Sequence, residues 1–133
     1  MINKEIIKLA SNTSNVGLNN KYSHKISLKN STCGDKITLE LIADKKKISS
    51  MKYETISCVY CEASASLLSR KMKNVKLKDI KNDLITLKKI SLKKNVKIPK
   101  RLSDFEKLLN SDNFNRFKCI FLPIDAVLKA LKL

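Results

Sequence analysis

Apolar and polar residues alternate along two stretches in the first half of the chain, residues 22–28 and 36–42. A period of two is typical of a β-strand that buries one face. The apolar positions of these stretches are Tyr22, Ile26, Leu28, Ile37, Leu39 and Leu41. A polar turn at 43–47 separates the second stretch from a third, less regular one at 48–56. Three successive strands on short connections predict an antiparallel meander.

Apolar residues at helical spacing dominate the rest of the chain. Residues 2–10 predict a short amphipathic helix, and a second helix is expected after Cys61. The apolar positions of a third helix recur at intervals of three and four, at Leu77, Ile80, Leu84 and Leu87. Strands first and helices afterwards predict an α+β fold: a three-stranded antiparallel sheet packed against several helices, with residues 1–133 in a single domain.

Two local signals predict where the last helices begin. Ser103 with Glu106 three residues later fits a capping box, in which the two side chains bond the first free N–H groups of a helix. Pro123 fits the first turn of a C-terminal helix, because a residue there has no helical partner for its N–H. We therefore expect helices to start at these two positions.

The charge of the chain bears on its partners. The 133 residues include 28 Lys and Arg against 12 Asp and Glu, which gives a net charge of +16. A nucleic-acid or acidic-membrane surface is one interpretation, but only three of the basic residues are Arg, the residue that makes most bidentate base contacts. A solvated, Lys-rich surface is the favoured interpretation. This interpretation argues against nucleic acid as a partner. An acidic protein partner is compatible with the positive charge.

The location of the protein affects how its cysteines are interpreted. The sequence has no apolar stretch near the length needed to span a bilayer, and its first residues lack the long apolar segment of a signal peptide. We therefore expect a cytoplasmic protein without a membrane partner. Thiols stay reduced in that compartment, so the four cysteines indicate metal ligands or reactive groups rather than two disulfides.

The four cysteines lie in three short segments, each at the edge of a predicted element. Cys33 and Asp35 come just before the second strand, separated by a Gly that permits a tight turn. Cys58 lies between the third strand and the next helix, and Cys119 lies just before the C-terminal helix. Helix N-termini favour thiolates. If the fold brings these edges together, three thiolates and one carboxylate form a site suited to zinc or an iron–sulfur cluster.

Other interpretations of the cysteines exist. A free cysteine is usually a small buried hydrophobe, and Cys61 is expected either to pack in this way or to serve as a reserve ligand. Cys58 and Cys61 could form a redox pair, but such a pair needs a thioredoxin-like βαβ unit, and the sheet here is expected to be antiparallel. The only histidine, His24, lies on an alternating strand and is expected to be structural.

At these segments the sequence resembles the U-type iron–sulfur cluster assembly scaffolds, the SufU/IscU/NifU N-terminal family. The matching text is Thr32-Cys33-Gly34-Asp35, Cys58 followed by Ala63-Ser64-Ala65-Ser66, and Arg116-x-Lys118-Cys119-x-x-Leu122. The order and spacing are similar across nearly the whole chain, and the long gap between Cys58 and Cys119 is similar to the SufU form. The sequence departs from the family pattern at Ser57, where Gly is usual, and lacks the chaperone signal of IscU proteins.

The resemblance implies the same α+β fold, and a set of ligands for a zinc ion or a transient [2Fe-2S] cluster: Cys33, Asp35, Cys58 and Cys119. It implies a cysteine desulfurase as the sulfur donor, Cys119 as the sulfur acceptor, and apo iron–sulfur client proteins or carrier proteins as recipients. The protein is then an accessory scaffold, a monomer or weak dimer, and not an enzyme. Two alternatives are a zinc-dependent sulfur relay without a scaffold role and a basic, zinc-stabilised nucleic-acid-binding module.

Overall fold

The computed structural model describes residues 4–91 and 96–132, apart from the side chain at position 91. The strands are β1 (His24–Lys29), β2 (Lys36–Ala43), β3 (Lys47–Ile56) and β4 (Val75–Lys76). The α-helices are α1 (Lys4–Ser11), α2 (Val59–Lys71), α3 (Leu77–Ser91) and α4 (Phe117–Ala130), and two 3₁₀-helices span Lys100–Lys107 and Ser111–Arg116. Within the described ranges, every helix falls short of the length and apolar character that crossing a bilayer requires. The first positions of the predicted helix at 2–10 lie outside the described residues.

The strands form one antiparallel sheet in the order β1-β2-β3-β4. The predicted meander is confirmed, with Leu39 of β2 placed between Ile26 of β1 and Tyr53 of β3. The fourth strand corrects the predicted count of three. It pairs Val75 with Ile48 of β3 and has only two residues, which is too few to show an alternating pattern. The α+β class is confirmed.

The core lies between the sheet and the helices. On the strands, the apolar positions Ile37, Leu39 and Leu41 are fully buried, as the alternation predicts. On α3, the residues at helical spacing from Ile80 to Leu87 are buried in the same way. Burial of such aliphatic side chains stabilises the fold by about 25 cal/mol for each Å² of apolar surface removed from water.

Helix α2 is buried on most of its sides, and small residues make this possible. The four residues 63–66, Ala-Ser-Ala-Ser, are at most 1% exposed. The hydroxyl of Ser64 donates to the backbone carbonyl of Ile120 on α4 at 2.6 Å, and that of Ser66 donates to the carbonyl of Asn12, after α1, at 3.1 Å. Buried hydroxyls need such partners. The segment therefore lets α1 and α4 approach closely while both hydroxyls stay hydrogen-bonded.

Helix α4 begins earlier than predicted. It starts at Phe117, so Pro123 lies inside the helix and not in its first turn. Because proline has no N–H, it cannot donate to the carbonyl of Cys119, four residues earlier. The residues from Ile120 to Ile124 are all buried, and their packing offsets this lost bond. Cys119 consequently lies within the first turn of α4, not before it.

The helix predicted at Ser103 is a 3₁₀-helix, and it begins at Lys100. Leu102 departs from helical geometry, with φ of −107° and ψ of 22°, so the chain kinks directly before Ser103. The predicted start therefore falls at this kink. Leu102 and Phe105 are fully buried, which confirms the predicted apolar face although the type of helix differs.

Candidate metal centre

Three regions of the chain bring cysteines and a carboxylate to one place: the β1–β2 turn, the start of α2 and the first turn of α4. The Sγ atoms of Cys33 and Cys119 lie 3.4 Å apart. The thiol of Cys58 donates to Oδ2 of Asp35 at 3.3 Å. The structure thus brings the four predicted residues together as two contacting pairs. Their role as metal ligands stays a prediction.

Three of these donors are close enough to share one ion. The ligand atoms of Cys33, Asp35 and Cys119 all lie within 4.8 Å of one another. In a tetrahedral zinc site with Zn–S bonds of about 2.3 Å, two sulfur ligands are about 3.8 Å apart. Small side-chain adjustments would therefore let these donors fit a zinc or iron ion. Cys58 stands outside this trio and reaches it through its contact with Asp35.

The β1–β2 turn aims two of the donors. Gly34 has a φ of +77°, a conformation that glycine adopts without strain, and its N–H donates to the carbonyl of Asn30 at 2.7 Å. The N–H of Asn30 donates in turn to the carbonyl of Asp35 at 2.7 Å. The side chain of Asn30 also accepts from the N–H of Thr32 at 3.0 Å. Asn30 has no role in the prediction from sequence, although Asn is a common residue for starting such a turn.

Cys58 is the N-cap residue of α2, with an extended backbone (φ −74°, ψ 167°). Its N–H donates to Oδ1 of Asp35 at 3.1 Å, and its thiol faces Oδ2 of the same carboxylate. One residue thus holds both carboxylate oxygens and fixes their orientation. The partial positive charge of a helix N-terminus favours a carboxylate at this point.

The electrostatics of Cys119 differ from the expectation drawn from its sequence position. Burial raises the pKa of the Cys119 thiol, and the neighbouring side chains of Cys33, Asp35 and Cys58 raise this pKa further. The expectation that the start of α4 favours the thiolate is therefore wrong for Cys119. A negative charge on this sulfur would be buried and would face a carboxylate and two other thiols. A bound cation would instead lower the pKa of Cys119, because it attracts thiolate and carboxylate alike.

Access to the site is uneven. Cys33 is exposed, whereas Asp35 and Cys119 are only 5% and 3% exposed. Cys58 is partly buried. The site therefore opens to solvent on the side of the β1–β2 turn, and the predicted sulfur acceptor, Cys119, lies behind that turn.

Cys61 is a core residue. Its side chain is fully buried, and burial raises the pKa of the thiol to about 12. It lies outside the trio of donors that could share one ion. The packing interpretation therefore agrees with the structure better than the reserve-ligand interpretation. His24 contacts the hydroxyl of Ser23 at 2.8 Å on β1, as a structural residue would.

The comparisons with known proteins agree on one family. The family model for the NifU-like N terminal domain matches residues 1–119. The chain is also similar to the iron-sulfur cluster assembly scaffold protein IscU of Thermotoga maritima. The two are 30% identical over 105 residues, which cover 78% of this chain and 73% of that protein.

Solved structures show the same fold. The NifU-like protein (N-terminal) of Brucella abortus has a TM-score of 0.87 at 21% identity, over 98% of this chain and 91% of that one. The putative iron-sulfur cluster assembly scaffold protein for the SUF system of Fervidobacterium islandicum AW-1 has a TM-score of 0.85 at 21% identity, over 98% of this chain and 96% of that one. At this level of identity, the likeness concerns the fold alone.

Proposed function

This chain belongs to the family of NifU-like N-terminal domains, and from that premise we propose how it handles metal and sulfur. It is an iron–sulfur cluster assembly scaffold of the IscU/SufU/NifU type, an accessory protein rather than an enzyme. In our proposal, Cys33, Asp35, Cys58 and Cys119 hold its cargo, a nascent [2Fe-2S] cluster, or a zinc ion in its place. The predicted cytoplasmic location and single-domain organisation stay predictions.

The observation that carries this proposal is the convergence of donors from distant parts of the chain. Cys33 and Cys119 are 86 positions apart in sequence, yet their sulfur atoms are in contact. The carboxylate of Asp35 lies within 4.8 Å of both sulfurs, and Cys58 holds that carboxylate in place. Thiolate sulfur is the donor that zinc and iron–sulfur clusters share, so the donor set fits either cargo.

The mixed donor set suits temporary holding. A carboxylate oxygen is a harder and weaker partner for these soft metals than a thiolate. Asp35 therefore makes the site more labile than four cysteines would. The N–H of Cys58 already donates to Asp35, so a carboxylate leaving the metal has a partner to return to.

Sulfur delivery forms the second part of the proposal. A cysteine desulfurase would present a persulfide, and the thiolate of Cys119 would attack its outer sulfur. A new sulfur–sulfur bond then forms on Cys119 as the old one breaks, and the desulfurase cysteine leaves as a thiolate. No oxidant is consumed in this exchange. Because Cys119 is 3% exposed, the step requires the β1–β2 turn to move aside. Apo client or carrier proteins would receive the finished cluster.

One alternative keeps the same site. If zinc is the lasting occupant, the protein is a sulfur relay without a scaffold role. The exposure of Cys33 beside the buried Cys119 is compatible with such a relay. The nucleic-acid-binding zinc module has less support. Structural zinc modules usually draw on ligands close in sequence, which is not so for these donors.

Metal analysis of anaerobically purified protein tests the proposal. The samples are wild type, Cys119→Ser and, as a matched control, Cys61→Ala, which removes the core thiol that is not one of the four candidate ligands. Iron and sulfide with a visible charge-transfer band would support the scaffold, and stoichiometric zinc without visible absorbance would support the relay. We expect Cys119→Ser to lose the metal and Cys61→Ala to keep it. Wild-type protein that takes up neither metal would overturn both.

A further inference from the structure

A groove of about 700 Å³ opens beside the thiol site, between the β1–β2 turn, α3 and α4. Its walls include the residues at 28–32, the side chain of Lys88 and the aromatic residues of the second 3₁₀-helix and α4. The four candidate ligands do not line it. Two of its lining residues, Thr32 and Lys118, directly precede Cys33 and Cys119 in the sequence. Whatever occupies this groove therefore lies next to the thiols.

The floor of the groove is aromatic. The ring of Phe117 lies edge-on to Phe114, with centroids 5.3 Å apart, and edge-on to Phe121, with centroids 6.2 Å apart. Phe114 is 45% exposed, whereas the other two rings are at most 9% exposed. The three rings thus lead from the solvent into the core. Such a half-exposed ring at the mouth of a groove offers apolar surface to a partner side chain.

The rim of the groove is positively charged. Four lysines line it, against a single carboxylate, Asp125, which pairs with Lys88 at 2.6 Å. The other three lysines are all exposed: Lys29, Lys118 and Lys129. None of them takes part in an ion pair within the described part of the chain. The groove therefore combines an apolar floor with unneutralised positive charge.

We infer that this groove docks an acidic segment of a partner protein. Its carboxylates would face the exposed lysines, and an apolar side chain would cover Phe114. Charge complementarity selects this occupant, because a second copy of this chain carries the same charge of +16 and is repelled. Nucleic acid could meet the lysines, but of the three rings that line the groove only Phe114 is exposed enough to stack on a base. The inference rests on the proposed function for one point only, the reason why a partner approaches the thiols.

Fluorescence anisotropy with a labelled probe peptide tests this inference. The probe is Glu-Asp-Glu-Leu-Phe-Glu-Asp-Glu, compared with one peptide in which Ser-Ser replaces Leu-Phe and one in which amides replace the acids. The double variant Lys29→Glu with Lys129→Glu should weaken binding about tenfold, and Phe114→Ala about fivefold. The matched control, Lys45→Glu with Lys73→Glu, makes the same change in net charge away from the groove and should alter binding less than about twofold.

Three outcomes would overturn the inference. Equal weakening by both double variants would show binding to the overall charge and not to the groove. An oligonucleotide that binds more tightly than the peptide, with the same dependence on Lys29 and Lys129, would assign the groove to nucleic acid. Self-association that depends on Phe114 would assign it to a second copy.

Zinc and iron content, measured in the same samples, separates the two proposals. Loss of peptide binding with unchanged metal concerns the groove alone, whereas peptide binding by a chain that takes up no metal would overturn the proposed function alone.

Discussion

The sulfur atoms of Cys33 and Cys119 lie 3.4 Å apart, but one residue is exposed and the other is buried. Cys33 belongs to a turn at the surface, whereas Cys119 is in the first turn of a helix that packs on α2. Two thiols in contact with each other are therefore open to solvent to different degrees. This difference decides which of them an external reagent meets first.

Alkylation should follow this order. With iodoacetamide under native, reducing conditions and without added metal, we expect Cys33 to react at least about tenfold faster than Cys119 and Cys61. The partly buried Cys58 should be intermediate. Mass spectrometry of peptides at successive times measures the four rates. Protein denatured in urea is the control, in which the rates should converge. Labelling of Cys61 as fast as Cys33 would contradict the burial described above.

Asp35→Ala should trap the cluster. Removing the weakest donor of the set leaves sulfur ligands, so we expect slower transfer of a reconstituted cluster to an apo acceptor protein. Asp35→Asn is the matched variant, because it keeps an oxygen that can accept from the N–H of Cys58 but removes the charge. The visible absorbance that stays with this chain, after its separation from the acceptor at successive times, measures the transfer. Release from Asp35→Ala at the wild-type rate would refute the role of this carboxylate.

Ser64→Ala should loosen α4 on α2. The Ser64 hydroxyl is buried and donates to the carbonyl of Ile120, so its loss should lower the free energy of unfolding by about 1–2 kcal/mol. Urea denaturation of the metal-free protein measures this change. The control is Ser27→Ala, which removes an exposed contact with Thr38 and should cost less than about 0.5 kcal/mol. Equal effects of the two substitutions would contradict this account.

Acid should weaken two surface ion pairs between helices. One pair joins α1 to the first 3₁₀-helix, and the other joins α2 to that same 3₁₀-helix. Lys107 lies 2.9 Å from Glu5, and Lys71 lies 3.0 Å from Asp104. Hydrogen bonds from these lysines lower the pKa of both carboxyls below their ordinary values of 4.5 and 3.8. The unfolded chain therefore binds protons more readily than the folded one. The stability that these pairs contribute is present above the ordinary values and is lost as the pH falls through the lowered ones.

Urea denaturation between pH 6 and pH 3 measures this dependence. The double variant Glu5→Gln with Asp104→Asn should lose less stability over this range than wild type. Since exposed pairs contribute little, the difference should be small. Glu54→Gln is the control, because the ion pairs of the described residues do not include Glu54. A variant whose stability falls as steeply as that of wild type would show that these pairs are not responsible.

Much of the fold could be predicted because burial imposes a period on the sequence. The alternation through Ile37, Leu39 and Leu41 located β2, and the spacing from Ile80 to Leu87 located α3. Strand β4 could not be found in this way, because two residues carry no period. Pro123 was misplaced since its local preference is for a first helical turn, whereas the packing of its buried neighbours extends α4 past it.

The proximity of the four candidate residues could be predicted from the sequence, but the details of their arrangement could not. The positions of Cys33, Cys58 and Cys119 at the edges of elements indicated that they could meet, and the structure brings them close. Spacing along the chain says nothing of which sulfur is buried. The raised pKa of Cys119 depends on its burial and on the nearby side chains of Cys33 and Asp35, and both follow from tertiary packing.

The separation of the donors along the chain has a consequence for the timing of metal capture in the cell. A ribosome makes the turn that carries Cys33 and Asp35 well before it makes α4, which carries the thiol 86 positions later. Until α4 has emerged and packed on α2, a passing cation meets only part of the donor set. If these residues hold the cargo, its loading follows the folding of α4 and does not accompany the emergence of the β1–β2 turn.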